Sequence, residues 1–195
     1  MPSTTERNPL TPPVTAELVL SFVNTRPNGL GQPDLLSDAP AFGAWLRAHG
    51  LADDATVITG ADAAAARELR EALAIVLQAH VGVEEHDGAL AGAESHLHRA
   101  AQLHPLAAEI TASGFSLVPT QTGVPGAMGA VLAAAADVAA EGGWPRLKMC
   151  RNAPCHASFY DRTRNLGGLY CSSACGSQAA MRAYRSRRKN SAGVR

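Results

Sequence analysis

All four cysteines of this 195-residue chain fall between Cys150 and Cys175. They are spaced Cys150-x4-Cys155 and Cys171-x3-Cys175, with fifteen residues between the pairs. Two tight turns that each present two thiolates complete a tetrahedral zinc site with bonds of about 2.3 Å. A segment of about fifty residues has too little apolar volume to hold itself together. Metal binding then supplies much of its folding free energy, on the order of 10 kcal/mol in small zinc modules. The spacing therefore predicts a structural Zn²⁺ bound by Cys150, Cys155, Cys171 and Cys175. It also predicts a C-terminal unit over 144–195, joined to the rest of the chain at Trp144-Pro145.

Four thiolates leave no open coordination position, which argues against metal-dependent hydrolysis. Neither pair is Cys-x-x-Cys, which argues against a thioredoxin-type redox site. A disulfide pair and an iron–sulfur cluster are the competing uses of four thiols. The first is disfavoured in a reducing compartment, and the second has no further support in the sequence. Met1 to Val14 is polar, carries Pro2, Pro9, Pro12 and Pro13, and has no apolar core segment. It reads as a disordered lead-in rather than a signal peptide, so the chain is expected in the cytoplasm with its thiols reduced. No apolar run approaches the length of a membrane span, and no membrane partner is expected.

Net charge is zero, but it is unevenly placed. From Pro145 onward there are nine Arg and two Lys against one acid, Asp161, whereas residues 1–144 hold six basic and sixteen acidic residues. Such a split suggests a basic tail that meets an anionic partner, or one that docks on the chain's own acidic body.

Residues 15–143 read as a mostly helical domain with one small β-hairpin. Thr15 to Asn24 places Leu18, Val19, Phe22 and Val23 on one helical face. Asp38 is the expected N-cap of a short helix with Phe42, Trp45 and Leu46, stopped at Gly50. Thr59 to Val81 is the longest helical segment, with Leu69, Leu73, Val76 and Leu77 inward and Arg67-Glu68 and Arg70-Glu71 solvated. A further helix covers Gly88 to Leu103 and ends at Pro105. Leu106 to Ile110 and Phe115 to Pro119 flank Ser113-Gly114 as a hairpin. Gly126 to Glu141 is an Ala-rich helix stopped by Gly142-Gly143. His80, His86 and His104 are expected to be exposed, and His96 and His98 diverge too far on a helix to chelate together. Asn28-Gly29-Leu30-Gly31 lacks the lysine and the strand–loop–helix setting of a phosphate loop. Asn24, polar in an apolar run, is expected to cap a helix or satisfy buried backbone, or else to line a pocket.

Within the tail, Asn152 and Pro154 shape the first turn. Phe159-Tyr160 and Leu169-Tyr170 are expected to form a short hairpin, and a helix begins near Cys171. The order knuckle, hairpin, helix is that of a treble-clef-like four-cysteine zinc finger, so the fold class is mainly α (α+β). On the final helix Gln178, Arg182, Arg185 and Lys189 fall within about 60° of one another, a basic stripe that Arg187 and Arg188 widen. Met181 and Tyr184 lie on another side and are expected to pack on the zinc core. A zinc-braced basic helix can contact phosphates and read base edges in a major groove. Asp161 pairs with Arg162 or Arg164 in this reading, or Arg164 reaches a phosphate.

The tail resembles the CGNR-type zinc finger. The matching residues are Cys150, Asn152, Cys155, Phe159, Asp161, Thr163, Arg164, Cys171, Ser172, Cys175 and Gly176, with the approach segment Trp144 to Lys148. The rest is similar to the ABATE domain that precedes this finger, through Leu20 to Thr25, Trp45-Leu46 with Gly50-Leu51, and Leu69 to Leu73. The resemblance implies a stress-induced transcriptional regulator whose finger binds DNA. The chain departs from the pattern at Ser177-Gln178, where the family has Asn-Arg. It also departs at Ala180 in place of a basic residue, at Asn165 to Gly168 in place of an Arg-rich loop, and at Tyr170 where Trp is frequent.

Three function classes follow. The first is a zinc-containing regulator that binds double-stranded DNA through Arg164, Gln178, Arg182, Arg185, Arg187, Arg188 and Lys189. Its N-terminal domain would sense a small-molecule signal or form a homodimer. The second is a zinc-stabilised protein–protein interaction module. The third, an enzyme, finds no acid–base or nucleophile set in residues 15–143, so no catalytic residue is expected.

Overall fold

A proline sets the start of the first helix. Pro13 is the N-cap of α1 (Val14–Val23), which buries Ala16, Val19, Phe22 and Val23 on one side. The computed structural model describes residues 10–82, 88–112 and 114–192, without the side chains of 190–192. Most of the expected lead-in (residues 1–9), His86 and the turn residue Ser113 lie outside the described residues.

Capping chemistry places the next two helices. Asp38 accepts a hydrogen bond from the Ala41 N–H at 2.9 Å and starts α2 (Ala39–Ala48). Thr59 and Asp62 exchange side chain-to-backbone bonds in a reciprocal capping box that opens α3 (Gly60–Ala79). Helix α4 (Ala89–Leu103) stops short of Pro105, and β1 (Leu106–Thr111) pairs antiparallel with β2 (Gly114–Pro119) in the register Leu106↔Pro119. Helix α5 (Gly123–Ala140) packs on α1 and on β2, with Val131 and Val138 fully buried. It is the one helix among the described residues long and apolar enough to cross a membrane, and half of it is buried in this core.

The C-terminal residues continue the same core. After a 3-10 turn at Trp144–Arg146 come β3 (Leu147–Met149) and β4 (Ser158–Tyr160), paired antiparallel. Leu147, Met149 and Tyr160 belong to one apolar cluster with Phe22, Leu73, Leu77 and Val138. The Asn24 Nδ2 donates to the Ser158 carbonyl at 3.1 Å, and the Ser158 N–H donates back to Asn24 Oδ1 at 2.7 Å. The polar break in the apolar run of α1 is therefore a socket for β4. His80, expected to be exposed, instead bonds the Leu147 carbonyl through Nδ1 at 2.7 Å and meets Trp144 edge-on.

Two further expectations are corrected. The partner of β4 is β3 and not Leu169-Tyr170, because β3 and β4 flank the first cysteine pair and both reach the body's core. Leu169 contributes one backbone bond, accepting from the Arg151 N–H at 2.9 Å. Arg70 is buried rather than solvated. Its guanidinium is bidentate to Asp34 at 2.6 and 3.0 Å, and Glu71 bridges it to Arg26. Arg67 donates to the Leu36 and Ser37 carbonyls. Helical periodicity shows which face a residue occupies, not the loop that folds over it. A last helix, α6 (Ser173–Ala192), leaves the metal site.

Candidate metal centre and the basic helix

The first cysteine pair is the turn of the β3–β4 hairpin. The Cys150 N–H bonds the Ala157 carbonyl and the Cys155 N–H bonds the Asn152 carbonyl, each at 2.8 Å. The second pair opens α6. Ser172 caps that helix, its Oγ accepting from the Cys175 N–H at 3.2 Å, so Cys171 lies just before the helix and Cys175 in its first turn. The four Sγ atoms lie within 4.8 Å of one another. Cys155–Cys171 and Cys171–Cys175 are both 3.6 Å apart.

A regular tetrahedron with 2.3 Å zinc–sulfur bonds has edges of about 3.8 Å, whereas a disulfide needs about 2.05 Å. All four thiols are free and their separations fit one tetrahedral cation. Burial pushes the Cys155 and Cys171 thiols up. Cys175 is drawn down to about 7 by the hydrogen bond from Asn152, against the effect of burial. A dication coordinated by these sulfurs reverses the upward shifts, because coordination deprotonates a thiol outright. Cys150, Cys155 and Cys175 are buried, and Cys171 is at the surface.

The knuckle also holds the helix. Asn152 is fully buried. Its Nδ2 donates to Gln178 Oε1 at 3.0 Å, and Arg182 donates to its Oδ1. Two members of the sequence-predicted basic stripe are thus turned toward the finger itself. Arg185, Arg187, Arg188 and Lys189 are exposed on α6. Among the described residues Cys175 is the only buried side chain of that helix. Met181 and Tyr184 do not pack on the zinc core: they are 54% and 52% exposed. The strands have turned their apolar side chains into the body, and little is left to cover α6.

Arg164 is exposed on the loop that follows β4. Asp161 pairs with neither Arg162 nor Arg164. Its partner is Lys148, at 2.7 Å, in a fully buried ion pair. The Lys148 ammonium also donates to the Leu166 and Gly168 carbonyls. Asp161 accepts further bonds from the Thr163 N–H and hydroxyl and from the Gly168 N–H. Burial pushes the Asp161 carboxyl up, but Lys148 and these donors outweigh it and hold it at about 2. Arg146 is buried as well and donates to the Asp161 and Thr163 carbonyls. The sequence reading missed Arg146 and Lys148. Their alternation with Leu147 and Met149 was the available signal, since it is the period of a strand.

The Asn28 to Gly31 stretch is an Asx-type turn, Asn28 Oδ1 accepting from the Leu30 and Gln32 N–H groups. Gly29 lies against the knuckle, where a Cβ would come within 2.9 Å of the Pro154 carbonyl oxygen. A groove of about 1060 Å³ runs between α1 and the finger, lined by Ser21, Asn24, Tyr160, Arg162 and Tyr170 among others.

A helical body whose core takes in the strands of a four-cysteine finger defines a zinc-finger protein with an integral N-terminal domain. Residues 16–142 match the ABATE family model, described as a putative stress-induced transcription regulator, and the chain belongs to that family. Residues 146–188 match the CGNR zinc finger. These are regulator and zinc-finger families, not enzyme families. A search of the curated proteins finds no match. The cluster of Cys150, Cys155, Cys171 and Cys175 is compatible with the structural Zn²⁺ of such a finger.

Proposed function

We propose that this protein is a zinc-braced transcriptional regulator that binds double-stranded DNA through α6, in the cytoplasm and without catalytic activity. The observation that carries the reading is the helix itself. From Arg182 to Lys189 it holds five cations and no acid, it is exposed, and it springs from a metal-fixed root. Such a helix matches the dimensions and charge of a major groove. Arg164, on a loop braced by the Lys148–Asp161 pair, is a candidate for a phosphate contact outside the helix. The groove between α1 and the finger is where a small-molecule signal would touch both halves of the chain, and a homodimer would present two such helices to two half-sites.

The test is fluorescence anisotropy of the zinc-loaded chain on duplex DNA across a salt series. Four phosphate contacts give a slope of log K on log salt of about −3 to −4. Absence of duplex binding at low salt removes the reading.

One observation favours a second function, a zinc-stabilised protein-interaction module. Met181 and Tyr184 offer an uncovered apolar face on the same helix. Replacing both with serine dissolves an oligomer in that case and leaves any duplex binding intact.

A further inference from the structure

We infer that Asn152 is a positioning residue that fixes the direction in which α6 leaves the finger, with Gln178 and Arg182 consumed in that bracket. The DNA-facing set then begins at Arg185. This last step rests on the DNA-binding reading above; the bracket itself does not.

The argument starts from what anchors the helix. A 20-residue helix with one buried side chain among those described has little packing to hold its direction. Two fixed points near its root are the metal site, through Cys175, and the Asn152 carboxamide. That carboxamide hydrogen-bonds Cys175, Gln178 and Arg182. These three residues are spaced i, i+3 and i+7, so they line one face over two turns. A carboxamide has two N–H donors and one acceptor oxygen, and here both ends are engaged, in a side chain with no solvent access. While this contact holds, Gln178 has given up its acceptor oxygen and Arg182 a terminal N–H, so neither offers its full bidentate set to a base edge.

The consequence grows with distance from the root. Lys189 lies fourteen residues beyond Cys175, about 21 Å along the helix axis. A 10° swing at the root moves that point by about 4 Å, more than the 3.4 Å rise of one base pair. Loss of the bracket therefore misplaces Arg185, Arg188 and Lys189 without touching them.

The experiment uses the full zinc-loaded chain. In Asn152→Ala the amides of residues 177–186 are expected to exchange with deuterium at least about tenfold faster, with zinc still bound at one per chain. Asn152→Asp keeps an acceptor for Arg182 and is expected to recover part of the protection. Should Asn152→Ala lose its metal, the double variant Gln178→Ala/Arg182→Ala removes the bracket from the exposed side and is expected to give the same acceleration. On duplex DNA, Arg185→Ala is expected to lower the salt slope by about 0.9, and Arg182→Ala, which keeps the Asn152–Gln178 half of the bracket, to leave it unchanged. Exchange within twofold of the wild type in both Asn152→Ala and the double variant overturns the bracket. A slope lost in Arg182→Ala as in Arg185→Ala overturns the assignment of Arg182. A wild-type chain that binds no duplex refutes the DNA-binding reading and leaves the exchange result to decide the bracket alone.

Discussion

The buried ion pair beneath the finger loop gives the sharpest stability prediction. Asp161→Asn keeps the shape of the side chain and removes its charge. It leaves the Lys148 ammonium buried without its counter-charge, with the Leu166 and Gly168 carbonyls and at most the one neutral amide oxygen as acceptors. It also sets an amide donor among Thr163, Gly168 and Lys148, all of them donors. Breaking a buried pair from one side costs about 3–5 kcal/mol. Part of that cost titrates. The Asp161 carboxyl sits at about 2 in the folded chain against 3.8 ordinarily, so its charged form adds about 2 kcal/mol. Because the folded value is the lower one, this contribution is fully present above pH 3.8 and fades as pH falls through 2. Urea unfolding of both proteins should show Asp161→Asn less stable by about 3 kcal/mol or more at pH 7, and the gap should narrow by about 2 kcal/mol between pH 5 and pH 2. A gap under about 1 kcal/mol at pH 7, or one independent of pH, would refute the reasoning.

Three more outcomes follow from contacts described above. Chelation of the metal, or Cys171→Ser, should lower the melting temperature of the helical body as well as the finger, because Leu147, Met149 and Tyr160 share the body's core; circular dichroism at an unchanged midpoint would contradict this. Asn24→Ala strands the buried Ser158 N–H and should cost about 1–3 kcal/mol in urea unfolding, with zinc stoichiometry unchanged. In Gly168→Ala the new Cβ falls 2.5 Å from Asp161 Oδ1, which should cost about 1–3 kcal/mol. Combining it with Asp161→Asn should give less than the sum, since both disturb one contact.

Local chemistry was legible in the chain. The Asp38 cap, the helix opened at Thr59, the β1–β2 hairpin and the four thiols are all set by residues a few positions apart, and the sequence displays them directly. The misread features depend on distant partners. Arg70 meets Asp34 across 36 positions, and Asn24 meets Ser158 across 134. Each looked like an ordinary polar residue until its partner was in place. Lys148 and Asp161 were masked differently: a basic tail makes any lysine look solvated, and burial is decided by the strand it sits on. Met181 and Tyr184 show the converse. Helical spacing reads them as a face to be covered, but cover depends on a surface that the described residues do not offer.

The strands that flank the first cysteine pair also bear on how the molecule is made. Five helices of the body leave the ribosome before Leu147, Met149 and Tyr160 exist to complete their shared core. Until then Phe22, Leu73 and Val138 would have an open side, of the kind that chaperones bind on a nascent chain. A four-thiolate site cannot be completed before Cys175 emerges, so zinc would be a late requirement of the finished fold. A cell short of the metal would accumulate an unfinished chain with an exposed apolar seam, not a finished body with a loose tail.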